Sequence, residues 1–323
     1  MRAVVYTGIG GREVVEVQDR PAPEPSGEEI VVAVRYAGLN PADLAQRAGL
    51  YPAPPGCPPD IPGIEVAGTV VACGPSARRF AVGERVFGIV GGGGLAERVV
   101  VHERHLVAVP DALPELEAAA VPEVFVTAHD AVVTQGSLGL GDVLVVNGAN
   151  GGVGTAAVQI GVAAGARVIG TVRDDALRPR VAELGAEVVA PDELVATARA
   201  AGGADVVLEL VGGPNVGRSF DCIADRGRIV VVGTGGGAEA SLDLRRLMAR
   251  RVRIMGTVLR ARSLEEKAAA VQAFGHAVVP HLASGQMRAL VDAVFPPELA
   301  ADAYDRLAAP GKLGKVLVDF GGG

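Results

Sequence analysis

Cysteine is scarce in this 323-residue chain: Cys57, Cys73 and Cys222 are odd in number and far apart. That usage excludes a disulfide framework and fits a reducing compartment. None belongs to a C-x-x-C pair, so a structural zinc lobe has no support. Cys57, in the Pro-rich stretch YPAPPGCPPDIP, reads as an ordinary loop residue. Lysine is equally rare, with Lys267, Lys312 and Lys315 among 30 basic residues. We read the arginine bias as composition without functional meaning. No apolar run reaches the roughly 18 residues that a membrane-spanning helix needs. The first residues, MRAVVYTG, read as a strand with no signal-peptide core or cleavage site, which predicts a cytoplasmic protein. A net charge of −7 disfavours nucleic acid as a partner. What the chain does have is apolar residues, 49% of the total, enough for compact domains, and a length that suits two of them.

Residues 1–121 alternate short β-like runs with Gly and Pro punctuation: EEIVVAVRYAGL, IEVAGTVVACG, GERVFGIV and AERVVVH. This rhythm predicts a mostly-β domain with strongly bent sheets. Near Ala118 it changes. AAAVPEVFVTAHDAVVTQG reads as a helix and GDVLVVNGA as an almost fully apolar strand. Helices over 152–164, 176–184, 192–201 and 214–224 then alternate with the strands RVIGTV, EVVA, ADVVLELV, GRIVVVG and VRIMGTV. Apolar strands alternating with helices predict an α/β domain whose parallel sheet is buried on both faces. Beyond about Arg262 two further helices and a closing strand, KVLVDF, contain too little strand for a third domain and are expected to return to the first. The expected domains are therefore 1–121 with 262–323, and 122–261.

The strand 143–146 runs into Gly148-x-x-Gly151-x-x-Gly154, and the following helix opens near Gly152. A strand that ends in a tight turn aims the free amides of a helix N-terminus at an anion. Gly151 would let backbone approach a pyrophosphate, with Asn150, Gly152 and Val153 beside it, and Gly154 would let helix and strand pack closely. A lone glycine triplet is weak evidence, but here a full βαβαβ run follows, which points to a dinucleotide. A Walker A loop is excluded because no lysine is near. A short-chain reductase is disfavoured, since none of the tyrosines has Lys four residues later.

The end of the next strand separates the two nicotinamide cofactors. NAD-binding folds usually place Asp or Glu there, about 20 residues on, against the ribose 2′-hydroxyl. Here ARVIGTVRDD ends on Val172 and Arg173. An apolar residue removes the carboxylate that would repel a 2′-phosphate, and a guanidinium can pair with that phosphate. The competing reading makes Asp174 the ribose ligand and Arg173 a solvated loop residue. NADPH is expected, with NADH as the alternative.

Taken together, AGLNPADLAQRAGLYP, PGIEVAGTV, GERVFGIV, AAAVPEVFVTA, NGANGGVGTAAVQI, GRIVVVG and GKLGKVLVDF resemble the zinc-independent quinone oxidoreductase branch of the medium-chain dehydrogenase/reductase superfamily. The resemblance implies a GroES-like β domain built from both chain ends, a central Rossmann domain, and a site in the cleft between them. It implies a small-molecule substrate, with hydride transfer from NADPH to a quinone or an activated double bond, and a homodimer paired through the strand around Val252–Val258. A biosynthetic enoyl-thioester reductase is the alternative among enzymes; a non-catalytic NADPH-binding sensor or scaffold is the alternative of another class.

Zinc-dependent relatives have Cys at the position of Asn40 and His at that of Ile64, and an amide and an alkyl group cannot replace those ligands. Asn40 reads equally as the N-cap of the NPAD helix or as a substrate-facing amide. Tyr51 is the expected catalytic residue, its ring stacking on a flat acceptor and its hydroxyl giving a proton or hydrogen bond. Thr127 resembles the threonine that borders the nicotinamide, and Gly233 and Thr257 lie at strand ends on the cofactor side. Where many relatives grip the 2′-phosphate with Lys and Tyr, this chain has Leu177 and Ala190–Pro191; Arg173, Arg178 and Arg180 are the available substitutes. No metal site is expected. His102 and His105 have H-x-x-H spacing, but in a β-like segment they are expected on different faces. His129, His276 and His281 read as structural.

Overall fold

In a computed structural model, which describes residues 1–321, β-branched runs form the strands of two separate sheet systems. The chain divides into two units: Met1–Glu123 together with the segment from Leu259 onward, and Val124–Val258.

The first unit is organised by the strand Glu29–Gly38, EIVVAVRYAG, whose buried valines pack into the core. It pairs with Lys315–Asp319, Glu65–Cys73 and Arg98–His102, all antiparallel. Register shifts between Val31 and Val32 and between Val34 and Tyr36 insert extra residues that bend and twist the sheet. Arg85–Ile89 and Leu106–Ala108 extend it on one side and Val291–Phe295 on the other, giving seven strands; Arg2–Tyr6 and Val15–Asp19 form a separate pair. Its core gathers Val32, Leu39, Val66, Leu106, Tyr304 and Val318, so both ends of the chain share one hydrophobic centre.

The second unit is a parallel sheet of six strands in the order Glu187–Val189, Arg167–Thr171, Val143–Asn147, Ala204–Glu209, Ile223–Val231, Arg253–Gly256. This is the doubly wound order, and it reverses between Val143–Asn147 and Ala204–Glu209. VLVVN is buried at every position, as a strand covered by helices on both faces must be.

Several elements differ from the sequence expectation. The helix expected after Ala118 is Glu115–Ala119, then Pro122–His129, then a π-helical turn, Asp130–Gln135. The long helix expected after Arg262 stops at Ala277, and a short one, Val279–Ala283, follows; Pro280 has no N–H to continue the ladder. Leu244–Arg250 was not expected to be a helix. It buries none of its residues, and Asp243 caps it by accepting from the Arg245 and Arg246 amides. The strand Val291–Phe295 was also missed; five residues on a sheet edge leave little pattern to read.

Candidate functional site

At the mouth of the parallel sheet, Gly148 adopts φ +80°, a conformation that favours glycine, and its carbonyl accepts from the Gly151 amide at 3.1 Å. The helix Gly152–Ala163 opens directly on Gly151. No side chain caps it and no acidic residue stands in its first turn, so the amides of Gly152, Val153 and Gly154 lack intrahelical acceptors and face no competing anion. A Cβ on Gly154 would lie 2.4 Å from the Gly148 carbonyl oxygen and 2.7 Å from Ala149 Cα, so this glycine is needed for helix–turn packing. A Cβ on Gly151 would meet only the Gly148 oxygen, at 3.5 Å. Nothing within the protein requires glycine at 151; a ligand drawn close to the backbone would. Asn150 is half-buried beside it. The residues present fit a pyrophosphate.

The strand Arg167–Thr171 ends on Val172, which is buried, followed by exposed Arg173. Asp174 Oδ1 accepts from the Ala176 amide at 3.0 Å, capping the short turn Asp175–Leu177. The carboxylate that could have taken a ribose hydroxyl is thus already engaged. Arg173 forms no hydrogen bond or ion pair among the described residues. Arg178 is partly committed: its Nε donates to the Val172 carbonyl at 3.0 Å and it pairs with Asp175 at 2.7 Å. Arg180 is exposed.

Gly233 sits where the end of Ala204–Glu209 runs close, and a Cβ there would fall 2.2 Å from the Leu210 carbonyl oxygen. The Thr257 amide donates to Val231 at 3.0 Å and its hydroxyl to Asp130 Oδ2 at 3.1 Å. Thr127 and Asp130, both buried, lie one helical turn apart. The structure therefore links Thr257 to the π-helical turn that follows Thr127. Such turns recur at functional sites. Asp130 had no signal in the sequence.

In the first unit Asn40 precedes the helix Pro41–Arg47, yet its side chain does not cap it. Its amide nitrogen donates to Glu65 Oε1 at 2.9 Å and to the Gly38 carbonyl at 3.3 Å. Its oxygen accepts from Lys315 Nζ at 2.7 Å. Lys315 also bonds the Leu39 carbonyl at 2.7 Å and pairs with Glu65, and both charges are buried. This corrects the cap reading of Asn40: the backbone N–H is held by Asp43 Oδ2 at 2.7 Å, while the amide ties together a buried ion pair. Burial pushes the Asp43 carboxyl up to about 6, against two backbone donors and the field of Lys315. Ile64, the residue before Glu65, is buried. Glu65 and Lys315 escaped sequence reading because Lys315 meets Asn40 across 275 residues of chain.

Tyr51 is half-buried, and its ring lies over the Arg260 guanidinium at 5.2 Å. Arg260, itself buried, bonds the Tyr51 carbonyl at 3.3 Å, the Gly91 carbonyl at 2.7 Å and Gln46 Oε1 at 2.6 Å. Burial raises the phenol above its ordinary value and Arg260 pulls it back, so at neutral pH Tyr51 keeps its proton. Cys57 packs against Gly91, where a Cβ would come within 2.4 Å of its sulfur. Burial raises its thiol despite Lys267 and Arg260, the opposite of an activated cysteine.

His102 and His105 are not on different faces. The turn Glu103–His105 brings residues three apart together, and the rings stack tilted with centroids 5.6 Å apart. His102 faces Glu28 at 3.1 Å and His105 the Leu264 carbonyl at 3.2 Å. Burial pushes His105 down to about 4. Among the described residues no cluster of three or more His, Cys, Asp or Glu side chains is arranged to hold a metal ion. No helix there is long and apolar enough to cross a membrane.

Comparison with known proteins gives two family matches: alcohol dehydrogenase GroES-like domain over residues 26–111 and zinc-binding dehydrogenase over 152–279. The quinone oxidoreductase of Mus musculus is 30% identical over 98% of this chain and 97% of its own. Among solved structures, an NAD-dependent alcohol dehydrogenase is 31% identical with a TM-score of 0.87, covering 99% of this chain and 100% of that one. A thermostable alcohol dehydrogenase from Pyrobaculum aerophilum is 30% identical with a TM-score of 0.85, covering 99% of both.

Proposed function

This chain belongs to the medium-chain dehydrogenase/reductase superfamily, in its quinone-oxidoreductase-like branch, and we propose that it is a zinc-independent, NADPH-dependent reductase of quinones or activated, α,β-unsaturated carbonyl compounds. The observation that carries the cofactor choice is the end of Arg167–Thr171: buried Val172, exposed Arg173, and an Asp174 already engaged as a cap. The bound cofactor supplies hydride. The amides of Gly152, Val153 and Gly154 hold its pyrophosphate, with Asn150 alongside, and Arg173 pairs with the 2′-phosphate. Arg178 steadies the strand end through Val172. Thr127, Gly233 and Thr257 lie toward the nicotinamide side of the sheet mouth. Tyr51 supplies a flat ring and a protonated hydroxyl for the acceptor oxygen that gains negative charge as hydride arrives. Asn40 supports the site by holding Lys315 and Glu65 in place, without facing substrate.

Zinc independence is supported by the donor set. At the two positions where zinc-dependent relatives carry ligands stand an amide already bonded to Lys315 and Glu65, and a buried isoleucine. The test is a turnover screen of 1,4-quinones, 2-enones and enoyl thioesters with NADPH and NADH, with metal analysis of protein purified without chelator. Turnover of quinones or enones with NADPH and no stoichiometric zinc is expected; binding without turnover, or activity lost with zinc, sinks the reading. A homodimer is expected through the edge strand Arg253–Gly256, which pairs on one side only. Light scattering that shows a monomer at micromolar concentration refutes it.

A further inference from the structure

Where the strand order reverses, Asn147 and Glu209 end their strands as register partners, and Thr171 is the partner of Asn147 on its other side. All three are buried. Glu209 has no ion-pair partner among the described residues. Donors surround it instead. Its Oε1 accepts from the amides of Val211 and Gly212, both at 2.9 Å. Its Oε2 accepts from Asn147 Nδ2 at 2.8 Å and Ser219 Oγ at 2.7 Å, and Asn215 Nδ2 reaches both oxygens, at 3.1 and 2.9 Å.

A carboxylate that only accepts fixes the direction of everything bonded to it. Asn147 must turn its NH2 toward Glu209, which leaves its carbonyl for the Thr171 hydroxyl, at 3.2 Å. That hydroxyl has a single proton, now committed to Asn147, so its lone pairs face the Gly148 amide, which donates to it at 3.2 Å. The chain of bonds thus runs in one sense from the glycine turn, through the end of the second strand, to Glu209. The same carboxylate holds the turn at Gly212, where φ is +76° and a Cβ would lie 2.7 Å from Thr234 Cα.

We infer that Glu209 is a positioning residue for the nicotinamide cofactor. Touching no cofactor itself, it sets the orientation of Asn147 and Thr171 and so fixes Gly148 and the strand end that leads to Val172 and Arg173. This inference rests on the cofactor reading above. In Glu209→Gln an NH2 replaces one acceptor oxygen. Either Val211 and Gly212 lose their acceptor, or Asn147 reverses and Thr171 can no longer donate to it.

The test measures cofactor binding by fluorescence titration and steady-state kinetics in wild type, Glu209→Gln, Thr171→Val and Thr171→Ser. Glu209→Gln and Thr171→Val are expected to weaken NADPH and NADH alike by about tenfold, equivalent to about 1.4 kcal/mol. Both should leave kcat and the acceptor KM within about twofold, and Thr171→Ser, which keeps the hydroxyl, should restore wild-type affinity. Should Glu209→Gln fail to fold, Thr171→Val, which removes only the far end of the chain, decides the matter. Wild-type affinity for both cofactors in folded Thr171→Val, or a loss confined to kcat, overturns the inference. A wild type that binds neither cofactor overturns the reading beneath it instead.

Discussion

Lys315→Met offers the sharpest test of how the first unit is held together. The ammonium is buried, bonded at 2.7 Å to both the Leu39 carbonyl and Asn40 Oδ1, and paired with Glu65, which is wholly buried. Methionine fills the volume but leaves the Glu65 charge with only Asn40 Nδ2, at 2.9 Å, and the Glu123 amide, at 2.8 Å. Removing one partner of a buried pair typically costs about 3–5 kcal/mol, because the other charge is stranded away from water. At roughly 2–4 °C per kcal/mol for a unit of this size, the unfolding midpoint should fall by about 6–20 °C. Glu65→Gln should cost a similar amount by stranding the lysine. The double variant should be far less damaged than the sum of the two, since neither charge is then left alone. Calorimetry on the four proteins checks this. Single variants within about 1 kcal/mol of wild type, or additive losses in the double variant, would refute the argument that the pair acts as a unit.

Arg173→Ala should raise KM for NADPH about tenfold to a hundredfold, the loss of one charge-assisted bond of roughly 1.5–3 kcal/mol, and leave NADH nearly unchanged. Equal weakening of both cofactors makes Arg173 merely structural, and a wild type that prefers NADH returns the ribose to Asp174. Gly154→Ala drives a Cβ into the backbone of Gly148 and Ala149, neither of which can swing aside, so cofactor affinity and thermal midpoint should both drop; an unchanged affinity contradicts the packing. Asp43 binds its proton in the fold up to about pH 6 but in the unfolded chain only to about 4, so stability falls as pH rises through that window, by about 3 kcal/mol in all, and is flat above it. His105, pushed down to about 4, acts in the opposite sense over nearly the same range, since the unfolded chain takes up the proton first. The quantity to measure is therefore the difference between wild type and Asp43→Asn, in which His105 cancels; a difference that does not change between pH 4 and 6 disproves the assignment.

The sequence by itself determined the parallel sheet, because apolar strands buried on both faces and helices of period 3.6 leave an unmistakable local pattern, and a glycine triplet between strand and helix marks the turn. Val172 and Arg173 were legible for the same reason: their place follows from counting along one strand. The pattern failed where structure rests on a cap or an edge. Leu244–Arg250 buries nothing and Val291–Phe295 is five residues long, so neither carries much periodicity. The spacing of His102 and His105 misled because a strand rule was applied to residues that form a tight turn.

Tertiary structure alone decided the charges. Asn40 read as a cap or a ligand according to its neighbours in sequence, but its amide bonds Glu65 and Lys315, 25 and 275 residues away. Lysine's rarity looked like composition only; folded, Lys267 and Lys315 are both buried. Glu209 ends an apolar strand with no local sign of purpose, and it acquires one only because the sheet sets Asn147 and Thr171 in the same row. A hydrophobic pattern is periodic along the chain, so sequence reports it. A buried charge is stabilised by whichever donors the fold brings to it, and those come from anywhere in the chain.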